Sequence, residues 1–197
     1  MKKQLLFLLL CFGFIPLAFS QTQHSEAWQL NKVSADLPFG KIHEKAPPQV
    51  ADYAPMIGIC DCKSLRRKPD GTWPDTTGQV WSFKYILNGT AVQDESWSEN
   101  SYASSIRQYD VDSAHWVVGY HSTIGSVPTS PTPWIGNMQG DDIVLEKPQK
   151  APNGADGINR LRFHDIREDG FNWTGAWVND AQGIMFPFWK MWCKKRL

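Results

Sequence analysis

Few cysteines, no excess of charge of either sign and no long apolar run beyond the N-terminus are the plainest features of this 197-residue sequence. Four cysteines are too few for a small disulfide-dense scaffold. Basic and acidic residues both total 20, and that balance argues against a dedicated nucleic-acid binder or an anionic-membrane binder. No later segment approaches the roughly 20 apolar residues of a spanning helix, so no stable membrane insertion is expected. There is no Gly-x-Ser-x-Gly elbow, no phosphate-cradling glycine loop, no His-x-x-x-His and no Cys-x-x-Cys-His. The sequence therefore calls for no cofactor and no metal.

What is present suffices for a packed interior: 42% hydrophobic residues, with ten Trp, 15 Gly and 13 Pro. The first twenty residues read as an export signal. Lys2-Lys3 is a basic start, Leu5 to Leu17 an apolar run broken by Gly13 and Pro16, and Ala18-Phe19-Ser20 offers small residues for cleavage. Cys11 follows Leu10 rather than a small residue, which speaks against a lipid anchor. Expected boundaries are a signal peptide at 1–20, an N-terminal extension at 21–55 (loop or a short helix over Ser25 to Val33), and one barrel domain at 56–197. Removing Lys2 and Lys3 with the signal leaves 18 basic against 20 acidic residues. Export implies a periplasmic or secreted protein.

Three cysteines then remain. Cys60 and Cys62 share one face of a strand, because side chains alternate with period two, and either can reach Cys193. A disulfide between first and last strands is expected, with Cys62–Cys193 as the pair carried forward. The rival, a zinc site, lacks a fourth ligand and Cys-x-x-Cys spacing.

Strand signals recur between turn residues from Met56 onward, the pattern of an all-β barrel or sandwich. Strands are expected at 56–65, 80–87, 90–97, 102–109, 115–122, 134–140, 143–146, 158–166, 171–178 and 186–196. Asn88-Gly89 signals a two-residue type I′ hairpin. Pro187 is acceptable at the start of the last strand, where a missing N–H is tolerated. Asn88-Gly89-Thr90 and Asn172-Trp173-Thr174 match the glycosylation sequon, but in a tight turn and a strand they read as chance.

Pairing about these turns sets the faces. Around Asn88-Gly89, Tyr85 opposes Val92, Phe83 opposes Asp94 and Trp81 opposes Ser96. Tyr109 opposes Trp116, and Arg107 opposes Val118. Around Arg167 to Gly170, His164 opposes Trp173, Arg162 opposes Gly175 and Arg160 opposes Trp177. Each pair mixes aromatics with an ionisable group, as a ligand cavity does and a merely filled core does not. Asp94 is the natural counter-ion for Arg107 or Arg162. For the 158–178 hairpin the opposite face, with Leu161, Phe163, Ala176 and Val178, competes as the interior. The candidate binding set is Trp81, Phe83, Asp94, Arg107, Tyr109, Trp116, Arg162, His164 and Trp173.

Pro69-Asp70-Gly71-Thr72, Trp81-x-Phe83-x-Tyr85-Ile86-Leu87-Asn88-Gly89, Val92-Gln93-Asp94, Ile106-Arg107-Gln108-Tyr109-Asp110 with Trp116, Asn159-Arg160-Leu161-x-Phe163 and Phe171-x-Trp173 occur in this order. In that order they resemble a family of uncharacterised bacterial proteins with a lipocalin-like, or calycin, β-barrel. The resemblance spans about 56–196, and Asn179-Asp180-Ala181-Gln182-Gly183 departs from the family's final turn. It implies an antiparallel up-and-down barrel of about eight to ten strands with an internal cavity. It implies no reaction.

Three functions follow. The first is a binding protein for a small hydrophobic or amphipathic molecule carrying an acidic group, neutralised by Arg107 or Arg162. The second is a cofactor-independent isomerase, cyclase or hydratase with Asp94 or His164 as acid/base. The third is an accessory protein using loop 125–133 or the N-terminal segment to bind a protein partner. His115 and His121 lie roughly 20 Å apart on one strand and cannot share a metal.

Overall fold

The computed structural model describes residues 30–125 and 132–196. The expected signal, most of the helix over Ser25 to Val33 and the centre of loop 125–133 fall outside them. Ten antiparallel strands close in chain order, the last pairing with the first. They are β1 (Gly58–Arg66), β2 (Thr77–Ile86), β3 (Ala91–Ser98), β4 (Ser101–Asp110), β5 (His115–Ser122), β6 (Trp134–Gln139), β7 (Asp142–Pro148), β8 (Ile158–Arg167), β9 (Gly170–Asn179) and β10 (Ile184–Lys195). Closure leaves this sheet no free edge among the described residues. The all-β, up-and-down reading of the sequence is what the chain adopts.

Local chemistry explains the pairing. At the β2–β3 turn Leu87, Asn88 and Gly89 all take positive φ (49°, 54° and 85°). The turn is therefore a four-residue 3-10 type rather than the expected two-residue hairpin. Register survives, because Tyr85 pairs with Val92 and Phe83 with Asp94. Gly89 is required twice over: a Cβ there would lie 2.1 Å from Lys41 O, where the N-terminal segment crosses the turn. The β4–β5 pairs Arg107 with Val118 and Tyr109 with Trp116 also fall where the turn length places them.

The β8–β9 hairpin differs from expectation by one residue. Phe163, not His164, opposes Trp173, and Arg162 opposes Thr174. The register shifts between His164 and Arg167, where Asp165 sits at φ 50°. A one-residue slip exchanges the faces. Leu161 and Phe163 point inward, and Arg160, Arg162 and His164 point out. In β10 a second bulge lies between Pro187 and Trp189, the irregularity a mid-strand proline imposes.

One end of the barrel is stopped by a 3-10 helix, Pro48–Met56. Its period of three residues aligns Val50, Tyr53 and Met56, and all three are fully buried in the core. The extension thus contributes core side chains, although the strands begin close to where composition placed them. Inside, Trp81, Phe83, Phe163 and Phe171 form a continuous aromatic cluster with ring centroids 5.1 to 6.4 Å apart.

Cys62 and Cys193 are disulfide-bonded across the β1–β10 seam, 131 residues apart in sequence. That bond disposes of the zinc reading. Cys60 is buried and free, and burial pushes its thiol up to about 11.

Two outcomes are expected. Reducing the disulfide, or replacing Cys62 by Ala, removes a loop closure worth at most about 5 kcal/mol by chain entropy, so the urea midpoint should drop markedly under reductant. Cys60, by contrast, should resist iodoacetamide at pH 8 in the native protein and label only after unfolding, as read by peptide mapping. Because its folded value is raised, its contribution to stability is complete below the ordinary thiol range and is lost as pH rises through about 11.

Candidate functional site

The barrel interior divides into two halves. The half nearest the 3-10 helix is filled by buried side chains. Tyr53 meets Trp116 edge-on at 4.8 Å, Tyr109 meets Trp116 at 5.6 Å, and the Trp116 indole N–H donates to Asp52 Oδ2 at 3.0 Å. Burial raises the Asp52 carboxyl above the ordinary range, and the bond from Trp116 partly offsets it. The other half holds a partly enclosed cavity of about 480 Å3 that reaches solvent through the barrel mouth. That volume is within the range of roughly 300–1,000 Å3 for small-molecule sites.

A polar knot separates the halves. Arg107 on β4 donates from Nε to Asp94 Oδ2 on β3 at 2.8 Å, and its Nη2 closes the pair at 2.5 Å. Trp81 Nε1–H donates to the other oxygen of Asp94 at 2.9 Å, and Arg107 Nη1 donates to the Tyr53 hydroxyl at 3.2 Å. Both charged side chains are only 4% exposed. Burial is the largest single influence and works against the guanidinium, but the Asp94 carboxylate and the Tyr53 oxygen together outweigh it and hold Arg107 above its ordinary value. Burial likewise raises Tyr53, which therefore stays a neutral hydroxyl. The Arg107 guanidinium also lies 5.0 Å from the Tyr53 ring and 5.2 Å from Phe163, close enough for attraction to the ring faces.

The nine candidate residues fall into three groups. Trp81, Asp94, Arg107 and Trp173 line the cavity. Phe83, Tyr109 and Trp116 belong to the packed half and do not reach it. Arg162 and His164 lie on the outside. Arg162 is 54% exposed and pairs with Asp142, while His164 meets Thr174 at 3.1 Å and Asp165 at 2.8 Å. The Asp165 bulge is what turns them outward.

Sequence reasoning missed the group best suited to meet an anion. Arg66 ends β1 on the same face as Cys60, Cys62 and Ser64, and it stands at the cavity mouth. Its guanidinium stacks 3.5 Å over the Trp189 ring. Partial burial draws it below its ordinary value, with Tyr120 opposing. Among the described residues no carboxylate pairs with it. Arg107, by contrast, is already neutralised by Asp94. The signal was readable as alternation, had the first strand been carried one residue past Leu65.

A shallower depression of about 440 Å3 lies over β3–β5 against Trp97, Tyr102 and His121. No buried charge faces it. Among the described residues no group of three or more His, Cys, Asp or Glu is placed to hold a metal ion, and no helix is long and apolar enough to cross a membrane.

No known protein-family model matches the chain, and no curated protein is significantly similar to it.

Replacing Arg107 by Met strands a buried carboxylate and should cost about 3–5 kcal/mol. Combining it with Asp94→Asn should restore part of that loss in urea unfolding. A double variant as unstable as the sum of the singles would mean that the two residues do not act as a pair.

Proposed function

We propose that the chain is an exported, lipocalin-like barrel that binds a small, partly apolar acid in the cavity at its mouth. The observation that carries this reading is the cavity itself, open at one end, walled by Trp173, Trp189 and Met191 and floored by Trp81 with the Asp94–Arg107 pair. Indole walls supply contact area at low entropic cost. A filled core has no need of a buried ion pair beneath an open space.

The acidic group belongs at Arg66 rather than at Arg107 or Arg162, the residues first singled out. Arg66 is held over the Trp189 ring and carries no counter-ion among the described residues, so a ligand carboxylate gains a charge-assisted bond without displacing a protein partner. The disulfide and the N-terminal signal pattern both support export to an oxidising compartment. Catalysis has less support. His164 stands outside, and both Asp94 oxygens are occupied by Trp81 and Arg107.

The test is saturable quenching of tryptophan fluorescence by 1-naphthoate and by its neutral analogue 1-naphthalenemethanol. Arg66→Gln should weaken naphthoate about tenfold and leave the alcohol within about twofold. Naphthoate binding the variant as tightly as it binds the parent protein would remove Arg66 from the site, and absence of quenching in the parent protein would overturn the cavity reading.

A further inference from the structure

The two walls of the cavity are chemically different. On the β3–β5 side, Ser96, Ser101, Ser105, Ser122 and Tyr120 face it. On the β8–β10 side stand Leu161, Trp173, Phe188, Trp189 and Met191. The Trp189 indole N–H is spent on Ser64 Oγ at 2.8 Å, and its ring packs edge-on against Trp173 at 5.0 Å. That wall therefore presents almost pure hydrocarbon and ring surface.

The hydroxyl wall is only partly spent, since Ser101 Oγ shares a hydrogen bond with Ser98 Oγ at 2.9 Å. The Ser96 hydroxyl has no hydrogen-bond partner among the described residues. Ser122 Oγ accepts from the Ile124 N–H at 3.1 Å and keeps its own proton free, and Ser105 reaches Asp94 only at 3.4 Å. An alkyl chain laid here would put methylenes against these hydroxyls and strip their water without replacement, which costs free energy for each group. A ligand polar all round would lose its hydration against the opposite wall. The cavity of about 480 Å3 has room for a compact fused-ring body.

We infer that the ligand is a rigid, facially amphipathic ring acid. Its hydrocarbon face lies on Trp173 and Met191, its oxygenated face on the serines of β3–β5, and its carboxylate at Arg66. This inference rests on the binding reading above and narrows it to a ligand class. It also explains why the polar residues cluster on adjacent strands instead of alternating around the barrel: one molecule with two unlike faces sees two unlike walls.

Cholate and lithocholate form a matched pair of probes, the same ring acid with and without extra hydroxyls on one face. Below their micelle concentrations cholate should bind about tenfold tighter than lithocholate, as hydroxyls that find partners favour it. The Ser96→Ala/Ser122→Ala double variant should erase that preference while leaving lithocholate within about twofold. Lithocholate binding as tightly as cholate to the parent protein, with 1-naphthoate still quenching, would overturn the two-faced ligand and spare the binding reading. If naphthoate and both steroids all failed to bind, both would fall together.

Discussion

The buried pair of Asp94 and Arg107 is the constraint on which the interior depends. The two residues are diagonal neighbours on β3 and β4, Asp94 opposite Ser105 and Arg107 opposite Val92, which is within reach of long side chains across a sheet. Neither charge is tolerable alone at such depth. Each is satisfied only with the other in place, and each has a second duty. Arg107 reaches down to Tyr53 and ties the stopper helix to the barrel wall, while Asp94 reaches across to the Trp81 indole and fixes the floor of the cavity. One ion pair thereby sets where packing ends and open space begins.

The sequence disclosed much of this where turn length alone controls register. Between β2 and β3 the number of residues in the turn decided the pairing, even though the turn adopted a different conformation, and Asp94 came inward with Phe83 as alternation requires. Arg107 followed by the same arithmetic. At β8–β9 the arithmetic failed because Asp165 adopts positive φ and inserts an extra residue into the ladder. A non-glycine bulge leaves little trace in composition, so turn counting alone leaves both faces of this hairpin open, and of the two it is the one without Arg162 and His164 that is interior. The competing face, Leu161 with Phe163, had the cleaner apolar pattern, and burial followed hydrophobicity rather than the expected register.

The stopper helix was harder to read. Val50, Tyr53 and Met56 are spaced for a 3-10 helix, a period of three that neither an α-helical nor a strand template detects, and the surrounding prolines suggested an unstructured lead-in. Its importance comes from tertiary contacts that no local pattern encodes: Tyr53 under Arg107, and Asp52 against Trp116. Among the described residues the N-terminal segment stops one end of the barrel, and Arg66, stacked on Trp189, stands at the mouth of the other.

The division of the interior into a packed half and a receptive half is open to one direct measurement, the indole N–H signals in proton–nitrogen NMR during titration with a ring acid such as 1-naphthoate. The indoles of Trp81, Trp173 and Trp189 border the cavity, and that of Trp116 lies in the packed half, held by Asp52. The first three signals should shift and saturate together while Trp116 stays fixed. Four unmoved signals, or a Trp116 signal that moves with the others, would contradict that division.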